Sequence, residues 1–177
     1  MKHCVHIYCG DGKGKTSAAV GLAVRAAGCG KRVVIARFLK TDNSGEVEIL
    51  KKIPEVTLIP CRKTFGFVRS MDEETKRECA AYHRELFGEA VKLAEHADLV
   101  VFDEIMAAVN YGMVPERDVL EFLENRPGRD QTDGLEIVLT GRDPSEKLIA
   151  AADYVSEICK RKHPFDRGIM ARRGVEY

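Results

Sequence analysis

The stretch Gly10-Asp11-Gly12-Lys13-Gly14-Lys15-Thr16-Ser17 decides how this chain folds. The segment before it, His3-Cys4-Val5-His6-Ile7-Tyr8-Cys9, predicts a short strand. The segment after it, Ala18 through Ala27, is rich in small residues and predicts a helix. Strand, glycine loop, Lys-Thr and helix together make a phosphate-binding P-loop. The glycines let backbone N–H groups turn inward around phosphate oxygens, and the helix N-terminus adds partial positive charge. Lys15 is placed to reach the terminal phosphates, and the Thr16 hydroxyl to bind Mg²⁺. The whole run from Gly10 to Ser17 is therefore the candidate site for a nucleotide polyphosphate. The common motif puts four residues between its first Gly and Gly-Lys-Thr. That first position is Cys9 here, so the loop counted from Gly10 is one residue short. A glycine turn with exposed lysines is the competing account of this run alone.

A second motif weighs against that account. Leu99-Val100-Val101-Phe102-Asp103-Glu104 is a continuous apolar run ending in two carboxylates. Parallel α/β sheets contain such strands, buried on both faces. The carboxylates fall at the carboxyl end of the strand, on the edge where a P-loop also lies. Asp103 can hold Mg²⁺ opposite Thr16, and Glu104 can share the metal or orient a reacting group. An acidic cap on a following helix would explain Glu104 alone.

The 177 residues suffice for one domain with a sizeable core, and the formal net charge is zero, which gives no reason to expect broad nucleic-acid binding. No apolar run approaches membrane-spanning length, and no signal peptide opens the chain, so a cytoplasmic protein is expected. Cysteines at 4, 9, 29, 61, 79 and 159 form no Cys-x-x-Cys pair, as expected for scattered buried thiols in a reduced compartment.

Elements alternate between β and α. Strands are expected near 3–9, at Val33–Phe38, Val56–Pro60, Leu99–Phe102, Leu135–Thr140 and Tyr154–Cys159. Gly28-Cys29-Gly30 closes the P-loop helix. Further helices are expected over Glu46–Ile53, Pro115–Leu123 and Pro144–Ala152. Ser70-Met71-Asp72-Glu73 reads as a capping box opening a long helix, with a core stripe of Cys79, Tyr82, Leu86, Ala90, Leu93 and Ala97. Arg126 to Gly134 is a polar loop. With no internal repeat or linker, residues 1–177 read as a single α/β domain. Its central sheet is mostly parallel, with helices on both faces.

The chain resembles the P-loop type of ATP:corrinoid adenosyltransferase over nearly its full length. The resemblance rests on the short P-loop, on Arg25 to Lys31, and on Val101-Phe102-Asp103-Glu104 followed by Asn110-Tyr111. Asn125-Arg126-Pro127-Gly128, Thr140-Gly141-Arg142 and Asp153 to Glu157 continue it. The tail adds Lys162 to Gly168 and Gly174-Val175-Glu176-Tyr177.

The resemblance implies a P-loop NTPase fold of RecA-like type. It also implies that a Co(I) corrinoid attacks the ribose 5′-carbon of ATP and that triphosphate leaves, in adenosylcobalamin biosynthesis or salvage. ATP and the corrinoid are the substrates, with Mg²⁺ or Mn²⁺ as cofactor. Lys15 and Glu104 are then the catalytic residues. Thr16, Asp103 and Glu104 hold the metal. Phe65, Phe67, Met106 and Tyr111 bind the corrinoid, with Met113 beside them. Aromatic side chains in the segment Thr64–Arg69 would crowd out the axial ligand of cobalt; Arg69 stands where many relatives carry Trp. Ordinary core packing is the alternative for Phe65, Phe67, Met106, Tyr111 and Met113. His163 and Asp166 match the family's tail motif and are assigned to nucleotide positioning, and Thr140 to phosphate sensing. A flavoprotein reductant and a homodimer are expected. Relatives often carry an extension before the first strand, so another element is expected to close the site here. A P-loop ATPase or small-molecule kinase, with Glu104 activating water or a hydroxyl, explains the two nucleotide motifs equally well. A nucleotide-sensing module without turnover is a third reading.

Overall fold

The computed structural model of the protein describes residues 3–128 and 134–176. Residues 129–133 of the expected polar loop, and Tyr177 of the tail motif, lie outside the described residues.

Six strands form one sheet: β1 (Val5–Cys9), β2 (Val33–Arg37), β3 (Val56–Leu58), β4 (Leu99–Asp103), β5 (Glu136–Thr140) and β6 (Tyr154–Glu157). Their spatial order is β3-β2-β4-β5-β1-β6. Every pairing is parallel, so the sheet is wholly rather than mostly parallel. Parallel strands need crossovers, and the helices supply them. These are α1 (Lys15–Ala27), α2 (Gly45–Leu50), α3 (Glu73–Ala94), α4 (Ile105–Asn110), α5 (Glu116–Glu124) and α6 (Glu146–Ala151).

Alternation along the strands divides the core in two. Val33, Ile35, Leu99, Val101 and Val138 pack with Ala19, Ala23 and Ala27 of α1 and Leu50 of α2. Val34, Ala36, Val100, Phe102, Ile137 and Leu139 face the other layer, with Leu86 and Ala90 of α3, Leu123 of α5 and Leu148 of α6. The alanines let α1 lie close to the sheet, which brings its N-terminus to the strand ends.

Several boundaries differ from the sequence expectation. The box at Ser70 does not cap α3. Asp72 does, its carboxylate accepting from Thr75 N–H at 2.7 Å. Ser70 instead ends a 3₁₀ turn, its hydroxyl donating to the Phe67 carbonyl at 2.9 Å. The stripe on α3 is shifted as well: His83, Phe87 and Ala94 are buried with Cys79, Leu86 and Ala90, while Tyr82, Leu93 and Ala97 border the core. Pro115 sits at the N-cap of α5, not inside it. The short helix α4 has no signal in the sequence, because a single turn and a half carries too little periodicity to register. Gly28 stays right-handed at the end of α1, and Gly30, at φ 73, makes the turn. The thiols are not uniformly buried: Cys9 and Cys79 are, but Cys29 and Cys159 are exposed. No helix of the described residues is long and apolar enough to cross a membrane.

Candidate functional site

A parallel sheet delivers every strand's carboxyl end to one edge, so the segments after β1, β2, β4, β5 and β6 meet there. The P-loop follows β1. Its first glycines are dictated by the chain passing over them. A Cβ on Gly10 would lie 2.5 Å from the Ile158 carbonyl oxygen, and one on Gly12 2.6 Å from the same atom. Gly12 N–H donates to that carbonyl at 2.7 Å, so it is spent on the tail and not on a ligand. Asp11 also serves the tail, accepting from Lys160 N–H at 2.8 Å. This bond is the chief reason the Asp11 carboxyl titrates below its ordinary value. Gly14 faces open space; it is glycine for its backbone angle, φ 124, which turns the loop into α1.

Lys15 Nζ donates to the Gly10 carbonyl at 2.8 Å and the Gly12 carbonyl at 3.0 Å, which lays the ammonium across the loop. Burial lowers its pKa, partly opposed by the charge of Glu104. Lys13 reaches Glu176 of the tail at 3.2 Å. Ser17 is exposed on the first turn of α1.

Thr16 and Asp103 meet directly. The Thr16 hydroxyl donates to Asp103 Oδ1 at 3.0 Å, across 87 residues of sequence. Asp103 is 2 % exposed, and a buried carboxylate requires donors. Thr140, fully buried at the end of β5, gives one: its hydroxyl donates to Asp103 Oδ1 at 2.7 Å and accepts from Glu104 N–H at 2.8 Å. Those two bonds turn Thr140 toward the carboxylate pair. Glu104 is left-handed, with φ 62, a conformation that costs a non-glycine residue about 1 kcal/mol or more. Such strain collects at working sites.

Lys40, absent from the sequence assignment, completes the cluster. Its ammonium donates to Thr16 Oγ1 at 2.8 Å and pairs with Asp103 Oδ2. The loop that carries it is tied at its base: buried Arg37 pairs with Asp42 and donates to the Thr41 carbonyl at 2.9 Å. Asp42 in turn accepts from Cys61 N–H at 3.1 Å. Burial pushes the Cys61 thiol up to about 11. A lysine three residues past a strand has no motif of its own, and only the strand's register beside β4 reveals it.

The corrinoid assignments separate. Phe67 is 87 % exposed and Tyr111 is also on the surface. Phe65 packs on Tyr82 with centroids 5.7 Å apart and borders the core. Met106 is 1 % exposed and Met113 is buried too. Met106 fills the space that a side chain on Gly141 would need and packs within the core. In the tail, His163 Nδ1 accepts from Phe165 N–H at 3.2 Å and Asp166 pairs with Lys160 at 3.2 Å. Both brace the segment that covers the P-loop.

A cleft of about 610 Å³ opens beside this cluster, lined by Thr16, Ser17, Lys40, Glu46, Val175 and other residues of the same three segments. Among the described residues, no group of three or more His, Cys, Asp or Glu side chains is set to hold a metal.

Fold and site together define a P-loop nucleotide-binding protein of the parallel α/β class. Residues 1–177 match the family model of ATP:corrinoid adenosyltransferase BtuR/CobO/CobP, and the chain belongs to that family. Its activity is therefore transfer of the adenosyl group of ATP to a corrinoid, in adenosylcobalamin biosynthesis. The ATPase, kinase and sensor readings fall away. A corrinoid adenosyltransferase of Escherichia coli K12 is 34 % identical over 174 residues, covering 97 % of this chain and 84 % of that protein. The corrinoid adenosyltransferase CobA of Salmonella typhimurium is 35 % identical over 173 residues, with the same coverages. One from Pseudomonas aeruginosa is 31 % identical over 174 residues, covering 97 % and 82 %.

Proposed function

We propose that the cluster at the carboxyl edge serves the departing triphosphate, and that cobalt attacks the ribose 5′-carbon of ATP. A Co(I) nucleophile carries no proton, so the reaction needs no general base. It needs charge neutralisation where negative charge develops on the leaving group. Lys15, the N-terminus of α1 and the backbone N–H groups of the loop that stay free of the tail supply it. The direct Thr16–Asp103 bond carries this reading, because it joins the two nucleotide motifs into one site.

The donor set suits Mg²⁺ or Mn²⁺. A hydroxyl and a buried carboxylate are hard oxygens, and both already hold a cation, the Lys40 ammonium. Mg²⁺ takes one or two protein oxygens and completes its shell with water and phosphate, which agrees with the small number of carboxylates here. Thr16 and Asp103 would hold the ion, with Glu104 next to them. When bound, it would draw charge from the phosphate oxygens.

Phe67, held out on a surface loop, is the corrinoid-facing aromatic in this reading, with Tyr111 beyond α4. By family likeness a flavoprotein supplies the electron that makes Co(I), and the protein works as a homodimer. The thiols of Cys9, Cys29, Cys61, Cys79 and Cys159 make no disulfide, which agrees with a cytoplasmic location.

The test is the phosphate product. With ATP, Mg²⁺ and chemically reduced corrinoid, the Co–C bond spectrum should appear together with inorganic triphosphate in equal amount. Lys15→Ala should slow this by about 10²–10³, the typical loss for one donor to developing charge. Release of ADP or orthophosphate in step with corrinoid, or near-normal turnover by Lys15→Ala, would overturn the assignment.

A further inference from the structure

We infer that Lys40 is a tethered cation occupying the metal position, so that its ammonium and a divalent ion exclude one another at Thr16 and Asp103. This rests on the metal position proposed above. Asp103 is buried, and a carboxylate out of reach of water calls for a cation or donors close by. The Lys40 ammonium touches both oxygens that a divalent ion would use, Thr16 Oγ1 and Asp103 Oδ2. A Mg²⁺–oxygen distance is only about 2.1 Å, so an ion on these atoms would press its charge against the ammonium at contact range. One of the two must leave.

The loop is built for side-chain movement on a fixed backbone. On one side of Lys40, Leu39 is left-handed at φ 52. On the other, Arg37 grips the Thr41 carbonyl and Asp42. The Lys40 side chain is a quarter exposed and borders the cleft beside Thr16, so its head has open space to enter. A displaced ammonium would there meet the negative charge of the nucleotide. The metal is thus admitted with the triphosphate and kept out without it. Lys40 keeps Asp103 neutralised in the meantime.

The experiment uses Mn²⁺ alone, with the nucleotide-free protein, read by the electron paramagnetic resonance of the free ion. Wild type should bind Mn²⁺ weakly. K40M, close in length and uncharged, should bind it at least about tenfold more tightly, because the competitor is gone. K40R, which keeps a cation, should stay near wild type. K40Q repeats the test should K40M not fold, with circular dichroism as the check. Equal Mn²⁺ affinity in wild type and both uncharged variants would overturn the role of Lys40. Adding D103N to K40M should abolish the gain. If the gain survives D103N, the metal position itself is wrong, a failure distinct from that of Lys40.

Discussion

At Gly12 one missing methyl group holds the site together. The residue does not need glycine for its backbone angle; it needs it because the Ile158 and Cys159 backbone lies against it. An alanine there would put its Cβ 2.6 Å from a carbonyl oxygen and 2.9 Å from a carbonyl carbon, neither of which can rotate away. Gly12→Ala should cost about 1–3 kcal/mol in stability, the range of an overpacked site, and weaken ATP binding as the loop shifts. Thermal melting and titration calorimetry measure the two effects. Wild-type values for both would mean that the tail yields easily. At this scale Lys15, Thr16 and Asp103 were legible in the sequence, because a P-loop and an apolar strand ending in acid are local patterns. Lys40 was not, because its partner Asp103 lies 63 residues away.

At the scale of one element, the segment from Cys61 to Ser70 puts two phenylalanines, two positions apart, in opposite surroundings. Arg62 clasps Glu89 with bonds of 2.7 and 2.9 Å and donates its N–H to the Tyr82 hydroxyl, which ties the segment along α3. Phe65 turns onto Tyr82 and His83, while Phe67 stands outside. Phe67→Ala should therefore change stability by no more than about 0.5 kcal/mol, as at an exposed surface position. Phe65→Ala should cost about 1–2 kcal/mol, below the 3–5 typical of a fully buried ring. Activity should split the other way. Phe67→Ala should slow adenosylation started from Co(II) with a separate reductant, and leave the reaction from ready-made Co(I) nearly untouched. Equal losses in both assays would end the axial-ligand role of this segment. The sequence put both rings in one short stretch, but which of them the α3 surface takes depends on the helix face presented to it.

At the scale of the molecule, His83 joins layers. Its ring lies among Phe38 after β2, Phe65 of the surface segment and its helical neighbour Tyr82, with Nδ1 unpartnered among the described residues. It is 3 % exposed, and burial alone pushes its pKa from 6.5 down to about 4. The unfolded chain takes up this proton near pH 6.5, and the folded chain refuses it until about 4. Stability is therefore full above pH 6.5, falls as the pH drops, and levels off below about 4. At 1.36 kcal/mol per unit, the loss is about 3 kcal/mol. Urea unfolding at intervals from pH 7 to 4.5 should show this slope in wild type and a flatter one in His83→Phe. Parallel slopes would mean that His83 is already charged or solvated in the fold. Carboxylates with depressed pKa values, such as Asp42 and Glu136, begin to lose their contribution only as the pH enters the ordinary carboxylate range, so the upper part of this window belongs to His83 and the comparison with His83→Phe isolates the rest.

The alternation of strands and helices, apart from α4, together with the P-loop and the acid-tipped strand, was determined by the sequence alone. Each follows from residues within one turn or one strand of each other, where spacing maps directly onto geometry. The family likeness was equally legible, since it rests on short motifs kept in order. Only the tertiary structure decided that Gly12 N–H belongs to the tail, that Thr140 orients the carboxylates and that Met106 lies in the core. It alone brought the Lys40 ammonium to Asp103. These are contacts between strands whose neighbours in space are not neighbours in the chain. In the order β3-β2-β4-β5-β1-β6, β1 lies between β5 and β6, and β4 between β2 and β5. No local pattern encodes those adjacencies, because they arise when two hydrophobic faces are buried at once by helices crossing over the sheet.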